Sequence, residues 1–247
     1  MTDVSIPASG GLLRGMLFFP PQPLAANPAV LFLHGWTSNL ERYVDLATAL
    51  AEHGYICLIF DLPGHGASDG DIHALTRTDF LEAAIAAYDF LLHSEGVDPK
   101  QITAIGSSFG SYLAALLSVK RSCAGLCLRA PANYPDSGFD EPHQKRADAY
   151  YEGMVDEEKK QWKSTVHPYT ETAALRAIHD FAGRLLVVES EADELVPSAI
   201  PQSYAKALPN QDNLTYHILK DAPHSISDDP ARQEEFLDLL LAWLGAR

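Results

Sequence analysis

Residues 104–115 of the chain, AIGSSFGSYLAA, pass from a short apolar run through two serines fenced by glycines into an alanine- and leucine-rich run. The apolar residues before Gly106 read as a buried strand, and those after Gly110 read as a helix. Ser108 stands between them, on a turn so sharp that its own backbone is strained and side chains two positions before or after it would collide. Gly106 and Gly110 occupy those two positions, so the G-x-S-x-G spacing has a physical reason: it lets Ser108 stand proud of the sheet. The free N–H groups and the dipole of the helix start favour negative charge developing beside it. Ser108 is therefore the candidate nucleophile. A turn of small residues without chemistry is the competing reading, and the strand-to-helix setting argues against it. Ser107, one residue out of the pattern, reads as an ordinary turn residue.

Outward from this turn, apolar runs alternate with amphipathic ones, the pattern of βα units stacked on a mostly parallel sheet. LLRGMLFFP reads as an antiparallel edge strand ended by Pro20-Pro21, and AVLFLHG as a buried strand. LERYVDLATALAEHG then reads as a helix closed by Gly54. YICLIF opens into the glycine-rich DLPGHGASDG, and a second helix, TRTDFLEAAIAAYDFLLHSEG, precedes QITAIGS. After the strand GLCLRAPA the rhythm breaks: 135–182 is polar, tyrosine-bearing and helix-like, without a buried-strand pattern. It resumes with RLLVVESEADELVP, AIPQSYAKALP, LTYHILKDAPHS and a closing amphipathic helix. The expectation is one sheet domain, 1–134 and 183–247, interrupted by a helical cap at 135–182.

Composition narrows the function classes. A formal net charge of −15 and the lack of a clustered basic stripe disfavour nucleic acid. The amino-terminal MTDVSIPASGG has neither the basic nor the apolar region of a secretion signal, and no apolar run approaches the roughly 20 residues a membrane span needs. The three cysteines, Cys57, Cys123 and Cys127, lie in or beside apolar runs and read as reduced structural thiols rather than a disulfide or metal site, which implies a cytoplasmic address. A homodimer is left open.

A serine hydroxyl needs a base, and the base needs an orienting acid. Of ten histidines, only His224, in DAPHS, follows the final strand and precedes a polar loop and a helix. The loop after the preceding strand offers Glu189, Glu191, Asp193 and Glu194. Asp193 lies past the strand end, is short, and precedes a turn-promoting ELVP, whereas Glu189 belongs to the strand and the other two would have to fold back. Two backbone donors aimed at an oxyanion complete an acyl-transfer site. Phe109 N–H is one. The second comes from Trp36, after the tight His34-Gly35 pair, whose side chain either lines a pocket or covers the core edge.

Taken together, LHGWTSN after the third strand, DLPGHGASDG after the fourth, GSSFGS, ESEADELVP and DAPHS resemble the α/β-hydrolase superfamily over essentially the whole chain. GVDPKQITAIGSSFG is similar to the dienelactone-hydrolase and prolyl-oligopeptidase branches; GHGASDG and the insertion after the sixth strand are similar to the monoglyceride-lipase and cinnamoyl-esterase branch. The chain departs from the dienelactone hydrolases in having Ser108 where they carry cysteine, and from many members in having Ser111 where they carry glycine. The resemblance implies an α/β-hydrolase fold and a serine esterase acting on a small-molecule acyl substrate, with no metal or cofactor. It equally fits a thioesterase, a short-peptide hydrolase or a perhydrolase. A silent ligand-binding member is the reading from another class, against which the complete set of Ser108, Asp193, His224, Trp36 and Phe109 argues. Tyr150, Tyr151, Trp162 and Tyr169 either line a pocket or glue the insertion to the core, the second being the expectation.

Overall fold

The computed structural model describes residues 1–143 and 156–245. Its centre is an eight-stranded sheet in the order β1-β2-β4-β3-β5-β6-β7-β8. The strands are β1 Thr2–Ala8, β2 Gly11–Phe18, β3 Asn27–Leu33, β4 Ile56–Phe60, β5 Val97–Ser107, β6 Gly125–Arg129, β7 Arg184–Ser190 and β8 Leu214–Leu219. From β4 to β8 every pairing is parallel, and β1 and β2 add an antiparallel hairpin at one end. This is the doubly covered parallel sheet of an α/β hydrolase.

The near-continuous apolar runs of β3, β4 and β6 follow from burial on both faces. Alternate residues divide between two cores: Ala29, Leu31 and Leu33 go to one side of β3, and Val30 and Phe32 to the other. Helices α2 (Arg77–Leu92) and α3 (Phe109–Leu117) cover the first face with α5 (Ala173–Asp180) and α6 (Ala199–Ala207); α1 (Val44–Glu52) and α7 (Pro230–Leu244) cover the second. Helix α4, Asp156–Lys163, reaches the first core through Trp162, which is partly buried against it. Local signals agree with the helix starts: Thr76 and Asp79 form a reciprocal capping box at α2, and Asp229 caps α7 ahead of Pro230.

Two sequence expectations change. LLRGMLFFP forms β2, which is not an edge strand: it pairs with both β1 and β4. The edge is β1, built from the TDVSIPA that offered no clear apolar alternation, since only Ile6 of its seven residues is buried. Within 135–182, helix α5 belongs to the main core, with Ala174, Leu175 and Ile178 fully buried against it.

Leu31 is wholly buried on the central strand β3. Leu31→Ala should lower the unfolding free energy by about 3 kcal/mol, read from urea denaturation. An unchanged midpoint would mean that the sheet does not carry the main core.

Candidate active site

β5 ends at Ser107 and α3 begins at Phe109, which leaves Ser108 alone at the turn. Its φ of 53° and ψ of −116° are strained for a residue with a side chain. The surroundings enforce this. A Cβ on Gly110 would lie 1.9 Å from the Leu33 carbonyl oxygen, and one on Gly106 would lie 2.3 Å from that of Gly110. Ser108 N–H donates to the Arg129 carbonyl at 2.9 Å, and its own carbonyl accepts from Ser111, Tyr112 and Ala132 N–H. Ser111, the departure from glycine, is fully buried and turns its hydroxyl to the Gly106 carbonyl at 2.8 Å.

The structure brings Ser108, His224 and Asp193 together. Ser108 Oγ–H faces His224 Nε2 at 3.0 Å, and His224 Nδ1–H faces the two Asp193 oxygens at 2.9 and 2.8 Å. Asp193 Oδ1 also accepts from Leu195 and Val196 N–H at 2.9 and 2.7 Å, so the ELVP turn fixes the carboxylate. The competing acids have other partners. Glu189 accepts from Tyr216 Oη–H, and Glu191 binds Lys220 and the Asp221 N–H. Glu194 accepts the His224 backbone N–H at 3.1 Å, a supporting contact that sequence spacing did not reveal.

Trp36 and Phe109 meet across this turn, their rings 5.3 Å apart and edge to face. Phe109 N–H opens α3, where first-turn donors have no partner within the helix. The loop carrying Trp36 is tied to DLPGHGASDG by side chains that read in sequence only as loop histidines. Leu62 N–H donates to His34 Nε2 at 2.9 Å, so His34 carries its proton on Nδ1 and donates to the Gly35 carbonyl at 2.8 Å. Thr37 N–H donates to His65 Nε2 at 3.2 Å, and Asp61 accepts from Leu40 and Ala67 N–H at 2.8 and 2.9 Å. A Cβ on Gly35 would stop 3.4 Å from Ser108 Cβ, so the loop approaches the turn closely. Burial pushes the His34 imidazole down to about 3 and lowers that of His65, so both serve as neutral backbone props.

Ser108 and His224 open on a cavity of about 530 Å³. Trp36, Tyr134, Trp162 and Ile200 line it together with Arg42, Ser225 and Gln233. Trp162 therefore borders the cavity as well as packing on His167, with ring centres 4.2 Å apart. Tyr169 instead stacks on His179 at 3.8 Å. Tyr150 and Tyr151 lie outside the described residues. At the root of the insertion, Arg77 is buried and donates to the Pro135 and Ser137 carbonyls, each at 2.8 Å. His143 N–H donates to the Leu75 carbonyl, and the imidazole stacks on Phe109 at 4.6 Å. Burial, helped by the Arg77 charge, pushes it down to about 4. Cys57, Cys123 and Cys127 are buried free thiols that burial pushes up. Among the described residues no helix is long and apolar enough to cross a membrane.

A mostly parallel sheet with a serine on a strained strand-to-helix turn defines an α/β hydrolase architecture. The chain belongs to the alpha/beta hydrolase family, whose model matches residues 30–236. It is 33% identical over 129 residues to an uncharacterised protein of Mycobacterium tuberculosis, covering 52% of this chain and 45% of that one. It is also 33% identical over 135 residues to a polyketide transferase of Penicillium sp., covering 51% and 44%. The chain thus spans about half the length of the curated relatives it matches. In structure it is similar to ferulic-acid-bound Est1E of Butyrivibrio proteoclasticus, with TM-score 0.73, 18% identity and coverage of 98% and 99%. The esterase of Exiguobacterium antarcticum gives TM-score 0.70 at 15% identity, covering 99% and 100%.

The neutral histidines set a pH dependence. His34 and His143 bind protons in the unfolded chain near 6.5 but in the folded one only near 3 and 4. Stability from this source is complete above about pH 6.5 and falls as pH drops, by about 2 kcal/mol per group at about pH 5. His143→Phe, which keeps a stacked ring, should lose correspondingly less stability between about pH 7.5 and pH 5 than the unchanged protein in urea titrations. Equal losses would show that His143 is not held neutral.

Proposed function

We propose that this chain is a serine hydrolase that cleaves a carboxylic ester of a small or medium acyl substrate. The observation that carries the reading is the continuous hydrogen-bonded path Asp193–His224–Ser108, ending on a strained turn that opens into the cavity. His224 Nε2 takes the Ser108 proton as Oγ attacks the ester carbonyl carbon. Trp36 and Phe109 N–H hold the oxyanion, and Asp193 stabilises the imidazolium. The imidazolium proton passes to the departing alkoxide, leaving an acyl-serine. Water, deprotonated by the same imidazole, then releases the acid and restores Ser108. A second reading, transfer of the acyl group to an alcohol or thiol instead of water, draws support from the partial match to the polyketide transferase.

We propose that the described part of 135–182 that precedes helix α5, residues 135–143 and 156–172, caps this site; 144–155 lie outside the described residues. Its wall residue Trp162, and the Lys163 ammonium held by the Leu195 carbonyl at 3.0 Å, support that role. Such a wall would set acyl length by limiting the room beside Trp36 and Tyr134.

A fluorophosphonate should label the protein once, at Ser108, and Ser108→Ala should abolish labelling and p-nitrophenyl ester turnover while Ser107→Ala still reacts. Asp193→Asn should keep the fold and lower turnover on the order of 10⁴-fold, with Glu191→Gln far milder. Labelling that persists in Ser108→Ala would sink the nucleophile assignment. Assaying acetyl against octanoyl esters, Trp162→Ala should shift the preference toward the longer chain; an unchanged ratio would remove Trp162 from the acyl wall.

A further inference from the structure

Strand β6 ends in a charged residue that the reaction described above does not use. Arg129 is 6% exposed and borders the same cavity as Ser108 and His224. Nη1 donates to Ser107 Oγ at 3.0 Å; Nη2 donates to Ser190 Oγ at 3.2 Å and to the His224 carbonyl at 2.5 Å, with the Pro223 carbonyl at 3.5 Å. The same residue's carbonyl accepts the Ser108 N–H. Arg129 thus touches the nucleophile through its backbone and the base through its fork.

Burying a guanidinium is costly, and among the described residues no carboxylate pairs with it directly. Asp193 acts on it only through space. Nε is buried without a partner. Apolar residues of similar volume commonly replace buried charges without loss of stability, so packing alone does not account for an arginine here. Geometry does. His224 lies in the loop beyond β8, outside regular structure, and two contacts hold its backbone: Glu194 takes its N–H and Arg129 grips its carbonyl. A planar fork can reach the ends of β5 and β7 and the His224 loop at once, which a point-like ammonium cannot.

We propose that Arg129 is a positioning residue for hydrolysis: by tying the His224 carbonyl to Ser107 and Ser190, it holds the imidazole where Nε2 meets the Ser108 proton. The inference rests on the serine-hydrolase reading above. The Ser107 hydroxyl, plain in sequence, then has a task as an anchor for the fork. Tyr43, whose phenol contacts Ser107 and feels the Arg129 charge, completes the floor of the arrangement.

The test uses Arg129→Lys and Arg129→Ala in the full chain, with folding checked by thermal melting. In both, kcat should fall on the order of 10²-fold with KM little changed, because a small displacement of a catalytic group costs about that much in rate. The far-downfield proton resonance of His224 Nδ1–H should broaden or move, since it reports the pairing with Asp193. Added guanidinium ion should restore part of the turnover of Arg129→Ala. A folded Arg129→Lys with unaltered kcat and an unaltered resonance would overturn the proposal, and it decides the matter alone if Arg129→Ala does not fold. If the unchanged protein neither takes a fluorophosphonate nor hydrolyses esters, the hydrolase reading fails instead. The resonance is read without turnover, so the clamp on His224 stands or falls separately.

Discussion

One backbone-to-backbone contact governs the rest: helix α3 starts so near the end of β3 that a Cβ on Gly110 would lie 1.9 Å from the Leu33 carbonyl oxygen. No side chain fits there, so the backbone itself forms the contact. That proximity forces the reversal at Ser108 into positive φ and leaves its Oγ pointing away from packed neighbours. The His34-Gly35 loop also lies beside the turn, a Cβ on Gly35 stopping 3.4 Å from Ser108 Cβ. Strain at one residue is tolerable because the strand segments beside it, 29–33, 102–106 and 125–129, are buried and paired in parallel register.

Histidines illustrate how environment divides one residue type into different tasks. His34 and His65 accept backbone N–H groups on Nε2, and burial holds them neutral, which suits an acceptor and would disable a proton shuttle between water and substrate. His224 lies 13% exposed in its side chain, with a carboxylate on one ring nitrogen and a hydroxyl on the other. That is the arrangement a base needs: one nitrogen fixed, the other free to exchange a proton.

Much of this was legible in sequence because it depends on local rules. The G-x-S-x-G turn, the strand-loop placement of Asp193 and His224, and the buried strands are set by sterics and by runs of apolar residues buried on both faces. β1 was not legible, since only Ile6 points inward and an edge strand draws its pairing from a neighbour rather than from its own pattern. Arg129 was missed, and Glu194 was weighed only as a candidate acid and not as a support for the His224 backbone, for a related reason. A charged residue at a strand end looks solvent-facing until the distant loop bearing His224 folds over it, and nothing within several residues of Arg129 announces that contact. Helix α5 reads as part of a polar stretch, yet its apolar face meets α3 and α6 only in three dimensions.

The root of the insertion and the candidate site share one cluster of rings. His143, from the start of the insertion, sits 4.6 Å from the Phe109 ring and 4.5 Å from that of Trp36, the two residues whose backbone N–H groups we assign to the oxyanion. Phe80 of α2 closes the same cluster against both rings. Interiors of this kind are densely packed and yield in discrete steps rather than smoothly. A displacement of the insertion large enough to move His143 must therefore either leave Trp36 and Phe109 in place and open a void, or carry them along. The first costs packing and the second spoils donor geometry. The acyl-chain selection we propose for the outer insertion is consequently separable from catalysis only beyond His143, where Trp162 borders the cavity.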